Sequence, residues 1–353
     1  MTQAVLFHPG DRMPMIVGSH SDGRLFALES QLGQTLLVVL ADGVSPEVQA
    51  AWAARFTAAA EGLKTVEAEA VVLLSMGVTA LTAHLNPPTP GVVIALPDTD
   101  LSPLGGQGAA PDILVIDRSG RIVQRLSEAD PDRGLAAAVA AAERLRLGPP
   151  VLRHSAAPVL MVPNLIDPGL CGALMAAFEA GAHAEGAMAS VNEKGEAIAR
   201  VSDAKKKRRD LLLEHDHPLH GAVVDVLGRR LAPELYRAYH LEVAHADRIL
   251  IARYDHTGGY FHRHRDNAAP NVAFRQFAVS INLNTGDYTG GELEFPEFGP
   301  DLYLPPAGGA AVFSASLLHA ARPVLSGSRY VLLTFLHDNG AEARRIDALT
   351  GRG

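Results

Sequence analysis

The chain has 353 residues, enough for two domains, and its 48% hydrophobic and 20% charged residues suit a folded core. A formal net charge of −8 argues against a protein built to hold nucleic acid phosphates. A single cysteine, Cys171, excludes an internal disulfide and a cysteine-based zinc cluster, and fits a reducing cytoplasm. The N-terminus MTQAVLFHPGDRMP has no basic segment ahead of a long apolar core, so no signal peptide is expected. No uninterrupted apolar stretch reaches the roughly 20 residues of a membrane helix, so the expected location is the cytoplasm, away from membranes.

From Gly10 to about Leu147 the pattern alternates between strand and helix. QTLLVVLAD reads as a buried parallel strand. SPEVQAAWAARFTAAAEGL follows as a helix, with Ser45 as N-cap and Pro46 at the first helical position. AVVLLSM and GVVIALP read as strands, and PDILVIDRSGRIV as strand, turn and strand. The Ala-rich DRGLAAAVAAAERLRL closes this half as a helix, stopped by Gly148, Pro149 and Pro150. Such alternation predicts an α/β layered fold.

With GDRMPMIVGSHSDGRLFALESQLGQTLLVVLAD at one end and DILVIDRSGRIV at the other, residues 1–150 resemble the peroxiredoxin branch of the thioredoxin-like family. That family carries its reactive cysteine just after the strand matching QTLLVVL. Here the place reads ADGVSPEV, without sulfur. Thiolate chemistry needs a thiol, so the resemblance implies a redox-dead scaffold or a domain that docks a protein partner.

GPPVLRHSAAP is Pro-rich and aperiodic, and it marks the boundary between domains at 1–150 and 151–353. Beyond it, VLMVPNLIDPGLCGALMAAFEAG predicts a strand, a turn and a helix capped by Asp167, with Cys171 in the first turn as a small packed residue. The basic run from Lys205 to Asp210 reads as a solvated loop or helix face that could also steer an acidic substrate. HDHPLHGAVVDVLGRRLAPELYRAYHLEV reads as a helix pair, with His215, His217 and His220 on the surface.

From Ala244 the texture changes to short strands: HADRILIARYD, RQFAVSINLN, GGELEFP, AAVFSAS and SRYVLLTFL. Such a series predicts a barrel or jelly roll, whose mouth is a natural ligand site. Within RYDHTGGYFHRHRD, His264 and Asp266 stand two apart, so on a strand both point to one side while Arg265 points away. Two imidazoles and a carboxylate on one face of an octahedron form the ligand set of non-haem iron(II) oxygenases. His319, after AAVFSAS, can bring the third ligand from a facing strand. Ten positions later Arg329 can offer a bidentate fork to the carboxylate of an oxo-acid cosubstrate.

These segments, with VPNLIDPGLCGAL and PPAGGAAVFSASLLHAARPVLSGSRYVLLTFL, make residues 159–336 similar to the prolyl 4-hydroxylase-like branch of the iron(II)/2-oxoglutarate dioxygenases. The resemblance implies an α+β double-stranded β-helix, or jelly roll. It carries the metal ligands onto His264, Asp266 and His319, the cosubstrate arginine onto Arg329 and a cosubstrate-facing tyrosine onto Tyr254. Where animal oxygen-sensing members have a second tyrosine, this chain has Asn282, whose amide can still donate a hydrogen bond. Implied cofactors are Fe(II), 2-oxoglutarate and O2, with ascorbate as a reductant. The implied reaction hydroxylates an amino acid side chain, proline in a peptide or protein being the foremost target, with a small molecule also open. Halogenases of this type lack the carboxylate, so Asp266 implies hydroxylation.

Around this core, His262 is expected as an outer neighbour or a packed ring, and His256 as solvent-facing. Asp255 and Asn267 read as turn residues bonding their own backbone, and Gly290–Gly291 as a turn. Arg275 divides evenly between holding substrate and a plain rim charge. Two other readings remain: an iron-binding oxygen or metal sensor with little turnover, and a thiol peroxidase resting on Cys171 alone.

Overall fold

The computed structural model describes residues 7–20, 24–41, 44–74, 92–95, 104, 110–152, 154–186, 188–191, 197–200, 206–257 and 259–350. Residues 1–6 and 21–23, together with Asp42, Gly43, Ser75, Met76, Gly91, Leu96, Pro97, Arg153, Lys205 and Gly258, lie outside these. The chain divides into two compact units, 1–150 and 151–353.

The first unit is built on a seven-stranded sheet. Its strands are β1 (Val17–His20), β2 (Leu25–Ala27), β3 (Thr35–Leu40), β4 (Ala68–Leu74), β5 (Val92–Ala95), β6 (Asp112–Ile116) and β7 (Ile122–Ser127). They lie in the order β2-β1-β5-β4-β3-β6-β7. The apolar run of β3 is buried along its whole length because both sheet faces are covered. Leu37 and Val39 meet Trp52 and Phe56 of α1 (Pro46–Ala58) and Leu135 of the later helix Pro131–Glu143. Leu36, Val38 and Leu40 meet Ile16, Phe26 and Leu28 on the other side. The expected parallel pairing holds on one edge only: β3 runs parallel to β4 but antiparallel to β6. β6 and β7 form a hairpin closed by Asp117, whose Oδ1 accepts from the Ser119 and Arg121 amides. Ser45 Oγ caps α1 at the Val48 amide, and the expected long helix breaks at Ala59 into α1 and α2 (Ala60–Lys64). Pro131–Glu143 is α3.

The second unit begins with β8 (Val159–Val162) and α4 (Pro168–Ala180). Asp167 caps α4 by accepting from the Leu170 amide at 2.9 Å. Short strands β9 (Ala184–Glu185), β10 (Met188–Val191), β11 (Ala197–Arg200), β12 (Lys206–Lys207) and β13 (Arg209–Leu212) follow. The expected helix pair is instead one continuous run, α5 (His220–Val226) and α6 (Ala232–Tyr239), joined through a π-helical turn at Leu227–Leu231. Pro233 cannot donate into the preceding turn, and the π turn absorbs that lost bond without ending the helix.

The remaining strands are β14 (His245–Asp255), β15 (Tyr260–His264), β16 (Phe277–Asn282), β17 (Thr289–Gly290), β18 (Leu293–Glu294), β19 (Leu302–Tyr303), β20 (Ala310–Ser314), β21 (His319–Ala321), β22 (Val324–Ser326) and β23 (Ser328–His337), then α7 (Asn339–Thr350). Two antiparallel sheets result, β8-β20-β16-β23-β14-β13-β9 and β12-β15-β21-β18-β19, with a jelly-roll core between them. Strand alternation sorts the large sheet. Ile249, Ile251, Val279, Ile281 and Leu332 pack with the helices, whereas Leu250, Ala252, Tyr254, Ala278, Phe313 and Val331 turn inward.

Helix α7 is tied to β23 by Glu342, which accepts from His337 Nε2 at 2.9 Å and from Arg345 at 2.8 and 2.6 Å. Arg345, and after it His337, hold the Glu342 carboxyl down to about 2. A depressed carboxyl stabilises the folded state above its ordinary pKa near 4.5, and that contribution disappears as pH falls towards 2. Acidification through this window should therefore loosen α7, by up to about 1 kcal/mol for a partly exposed pair. Glu342→Gln should remove the pH dependence, read by hydrogen exchange in residues 339–350.

Candidate active site

The inner faces of the two sheets enclose a cavity of about 700 Å³, and His264, Asp266 and His319 all line it. His264 ends β15 and His319 opens β21, and the two are direct cross-strand partners. Their rings lie 4.3 Å apart. Asp266 follows β15, and its amide donates to the Ala315 carbonyl at 2.9 Å, which brings its carboxylate between the two imidazoles. Asp266 Oδ1 is 3.3 Å from His264 Nε2, and Oδ2 is 3.4 Å from His319 Nε2.

Each imidazole is oriented from behind. His264 Nδ1 lies 2.8 Å from the His262 carbonyl, and His319 Nδ1 lies 3.0 Å from that of Leu317. A carbonyl only accepts, so both Nδ1 atoms carry the proton and both Nε2 lone pairs are presented beside Asp266. Burial holds His319 below its ordinary pKa, hence neutral near pH 7. Burial alone would raise the Asp266 carboxyl, but His319 and His264 outweigh it and hold it at about 2. A carboxylate oxygen and two imidazole nitrogens, with ligand atoms within 4.8 Å of one another, suit a divalent ion such as iron(II).

Arg329 is 2% exposed and lines the same cavity near the start of β23. Its Nε and Nη2 donate to Asn282 Oδ1 at 3.2 and 2.8 Å, and Nη2 also donates to Ser280 Oγ at 3.2 Å. Three of the five guanidinium hydrogens are thus used, leaving the two on Nη1. The Nε–Nη2 edge of the guanidinium, one side of the expected bidentate fork, thus bonds Asn282. Asn282 changes role for the same reason. Its Nδ2 is spent on Thr285, Tyr288 and Pro305, so it positions Arg329 instead of donating to a cosubstrate. Tyr254 faces the cavity with Arg329 over its ring at 5.4 Å, and its hydroxyl accepts from Arg208 at 2.8 Å.

Gly291 adopts φ +72°, and a Cβ there would lie 2.9 Å from Arg329 Cδ. Gly291→Ala should strain the backbone and push Arg329 off Asn282. The expected result is about tenfold weaker 2-oxoglutarate binding, the size of one lost charge-assisted hydrogen bond, read by calorimetry beside wild type.

Some neighbouring residues depart from the expectations, while His256 and Cys171 meet them. The basic run is no solvated loop. Lys206, Arg208 and Asp210 take alternate positions from β12 into β13 with nearly buried side chains, and Lys206 and Arg208 line the cavity. Arg275 is 7% exposed, pairs with Asp247 at 2.7 Å and stacks 3.8 Å over Phe335, and so is no plain rim charge. Asp255 and Asn267 bond across to Ser328 and Ser316 instead of their own turns. His262 is exposed beside Tyr260, and His256 is exposed. Cys171 is buried, and burial pushes its thiol up to about 11, which leaves little thiolate for peroxidase chemistry. Ser280, Tyr288 and Arg248 stand outside every motif of the sequence, while Arg208 lies within the basic run. Ser280 was within reach, since it sits two residues before Asn282 on the same strand face.

Residues 249–337 match the 2OG-Fe(II) oxygenase superfamily. The rat prolyl 4-hydroxylase subunit alpha-1 is 32% identical over 123 residues, which cover 30% of this chain and 22% of that protein. The chain thus spans under a quarter of that relative's length. Among solved structures, a Pseudomonas putida prolyl-4-hydroxylase superposes with a TM-score of 0.40 at 16% identity, covering 52% of this chain and 94% of that one. The peroxidoxin BcpB of Mycobacterium tuberculosis superposes with a TM-score of 0.35 at 16% identity, covering 40% and 99%. The second unit of this chain carries a 2OG-Fe(II) oxygenase domain with prolyl hydroxylases among its homologues.

Proposed function

We propose that the second unit is an iron(II)- and 2-oxoglutarate-dependent hydroxylase acting on an amino acid side chain, with proline in a peptide or protein as its foremost target. The observation that carries this reading is the convergence of His264, Asp266 and His319 in one cavity with a buried, pre-positioned Arg329. When bound there, iron(II) with 2-oxoglutarate and O2 supplies the oxidising power, and 2-oxoglutarate leaves as succinate and CO2. The protein's part is binding and orientation. His264 and His319 present Nε2, and Asp266 offsets the cation's charge. Arg275 steadies the Asp266 turn through a 3.5 Å contact to its carbonyl. Arg329 would hold the far carboxylate of the cosubstrate, with Asn282 and Ser280 keeping the guanidinium in place. Leu250, Phe313 and Leu333 line the cavity and limit water around the reacting atoms.

The first unit is read as a thioredoxin-like scaffold or partner-docking domain without thiol chemistry. Its doubly covered sheet and the absence of cysteine from residues 1–150 support that. Ascorbate and a cytoplasmic setting belong to the same proposal. The test is succinate release from 2-oxoglutarate in the presence of proline-containing peptides, with mass spectrometry of the peptides. Succinate formed in step with a product heavier by one oxygen atom supports it. Succinate without any oxygenated product would favour a sensor over a hydroxylase.

A further inference from the structure

The cavity has a second cationic end, far from Arg329. Along β23, Arg329 pairs with Tyr254 of β14, while Phe335, six residues on, pairs with Asp247. Six strand residues span roughly 20 Å, too far for one five-carbon diacid to reach from Arg329. At this end β14 departs from regular pairing between Asp247 and Leu250, and within that bulge Arg248 takes φ +51°. Left-handed backbone is unfavourable for a residue with a side chain, and bulges re-aim the side chain they carry. Such strain tends to persist where a function requires the conformation.

Arg248 lines the cavity and is exposed, and among the described residues no carboxylate pairs with it. Among the described residues nearby, Asp247 is paired with Arg275, and Asp210 with Arg208 and Lys206. Lys206 is 3% exposed, and burial, then Arg208 and Arg248, bring its ammonium down to about 7. Arg248 also repels Arg275. Elsewhere on the rim Arg263 and Arg265 are neutralised by Glu294 and Glu297. A cation crowded by others and without a carboxylate partner among the described residues, as Arg248 is, has the electrostatics of an anion site.

We propose that Arg248, backed by Lys206, is an anion-binding subsite for the substrate, so that the molecule hydroxylated carries a carboxylate or phosphate. This rests on the hydroxylase reading above. To test it, full-length protein is saturated anaerobically with iron(II) and 2-oxoglutarate, which occupies Arg329. N-acetylglycinate, its neutral analogue N-acetylglycinamide, and inorganic phosphate are then titrated calorimetrically. One of the two anions should bind at least about tenfold more tightly than the amide, as a charge-assisted hydrogen bond implies. The anion that binds identifies the group as carboxylate or phosphate. Arg248→Gly, whose backbone suits the left-handed conformation, should lose that preference while melting no lower than wild type, and Arg248→Lys should keep part of it. Equal binding of anion and amide, no binding of either anion, or affinity unchanged in Arg248→Gly would overturn the subsite. The iron–2-oxoglutarate absorption read in the same samples reports separately on the metal centre. Its absence would count against the hydroxylase reading, while the comparison of anion with amide would still decide the subsite.

Discussion

Asp266→Asn should lower iron(II) affinity by more than about 100-fold, beyond the 10–100-fold cost of losing an outer partner of a metal ligand. Asn keeps the shape and the Ala315 bond but removes the one negative charge between two neutral imidazoles. His264 and His319 would still stand 4.3 Å apart, yet a divalent cation would be held by neutral donors alone. Equilibrium dialysis against iron(II) under nitrogen measures the effect, and succinate release should fall with it. Iron affinity unchanged in Asp266→Asn would remove the carboxylate from the centre.

Arg329→Ala should act on the cosubstrate and spare the metal. The substitution deletes a cation that bonds Asn282 and Ser280, and leaves Asn282 Oδ1 buried without that donor. Truncating one partner of a buried, hydrogen-bonded charge pair costs about 2–5 kcal/mol. The 2-oxoglutarate dissociation constant should therefore rise roughly 30-fold to more than a thousandfold, with iron(II) affinity in its absence little altered. Arg329→Lys should recover only part, because a single ammonium cannot hold Asn282, Ser280 and a carboxylate in the guanidinium plane. Calorimetry with each variant checks both statements, and equal losses of iron and 2-oxoglutarate binding would mean that Arg329 acts by holding the fold.

Legibility in the sequence followed the range of the interaction. His264 and Asp266 could be paired from a spacing of two, because one strand places both. β3 could be recognised from six consecutive apolar residues, because both of its faces are covered. What depended on cross-strand hydrogen bonding could not be read. Nothing local to Asn282 says that its oxygen is taken by Arg329, 47 positions on, or that Tyr288 and Pro305 take its amide. The basic run misled for a different reason. Charge runs usually face water, and only the pairing of Lys206 with Phe261 reveals a strand that turns every second cation inward. Arg248 carried no local signal, since a left-handed residue in a bulge is set by the register of β14 against β23.

The hydroxylase reading requires that His264, Asp266 and His319 grip a ferrous ion that 2-oxoglutarate can chelate. Anaerobic titration of the full-length protein with iron(II) and 2-oxoglutarate, followed by visible absorption, addresses this directly. A metal-to-ligand charge-transfer band that requires both additions, saturates, and vanishes in Asp266→Asn is the predicted result. A spectrum that stays flat at saturating iron(II) and 2-oxoglutarate, or a band that persists in Asp266→Asn, would contradict it.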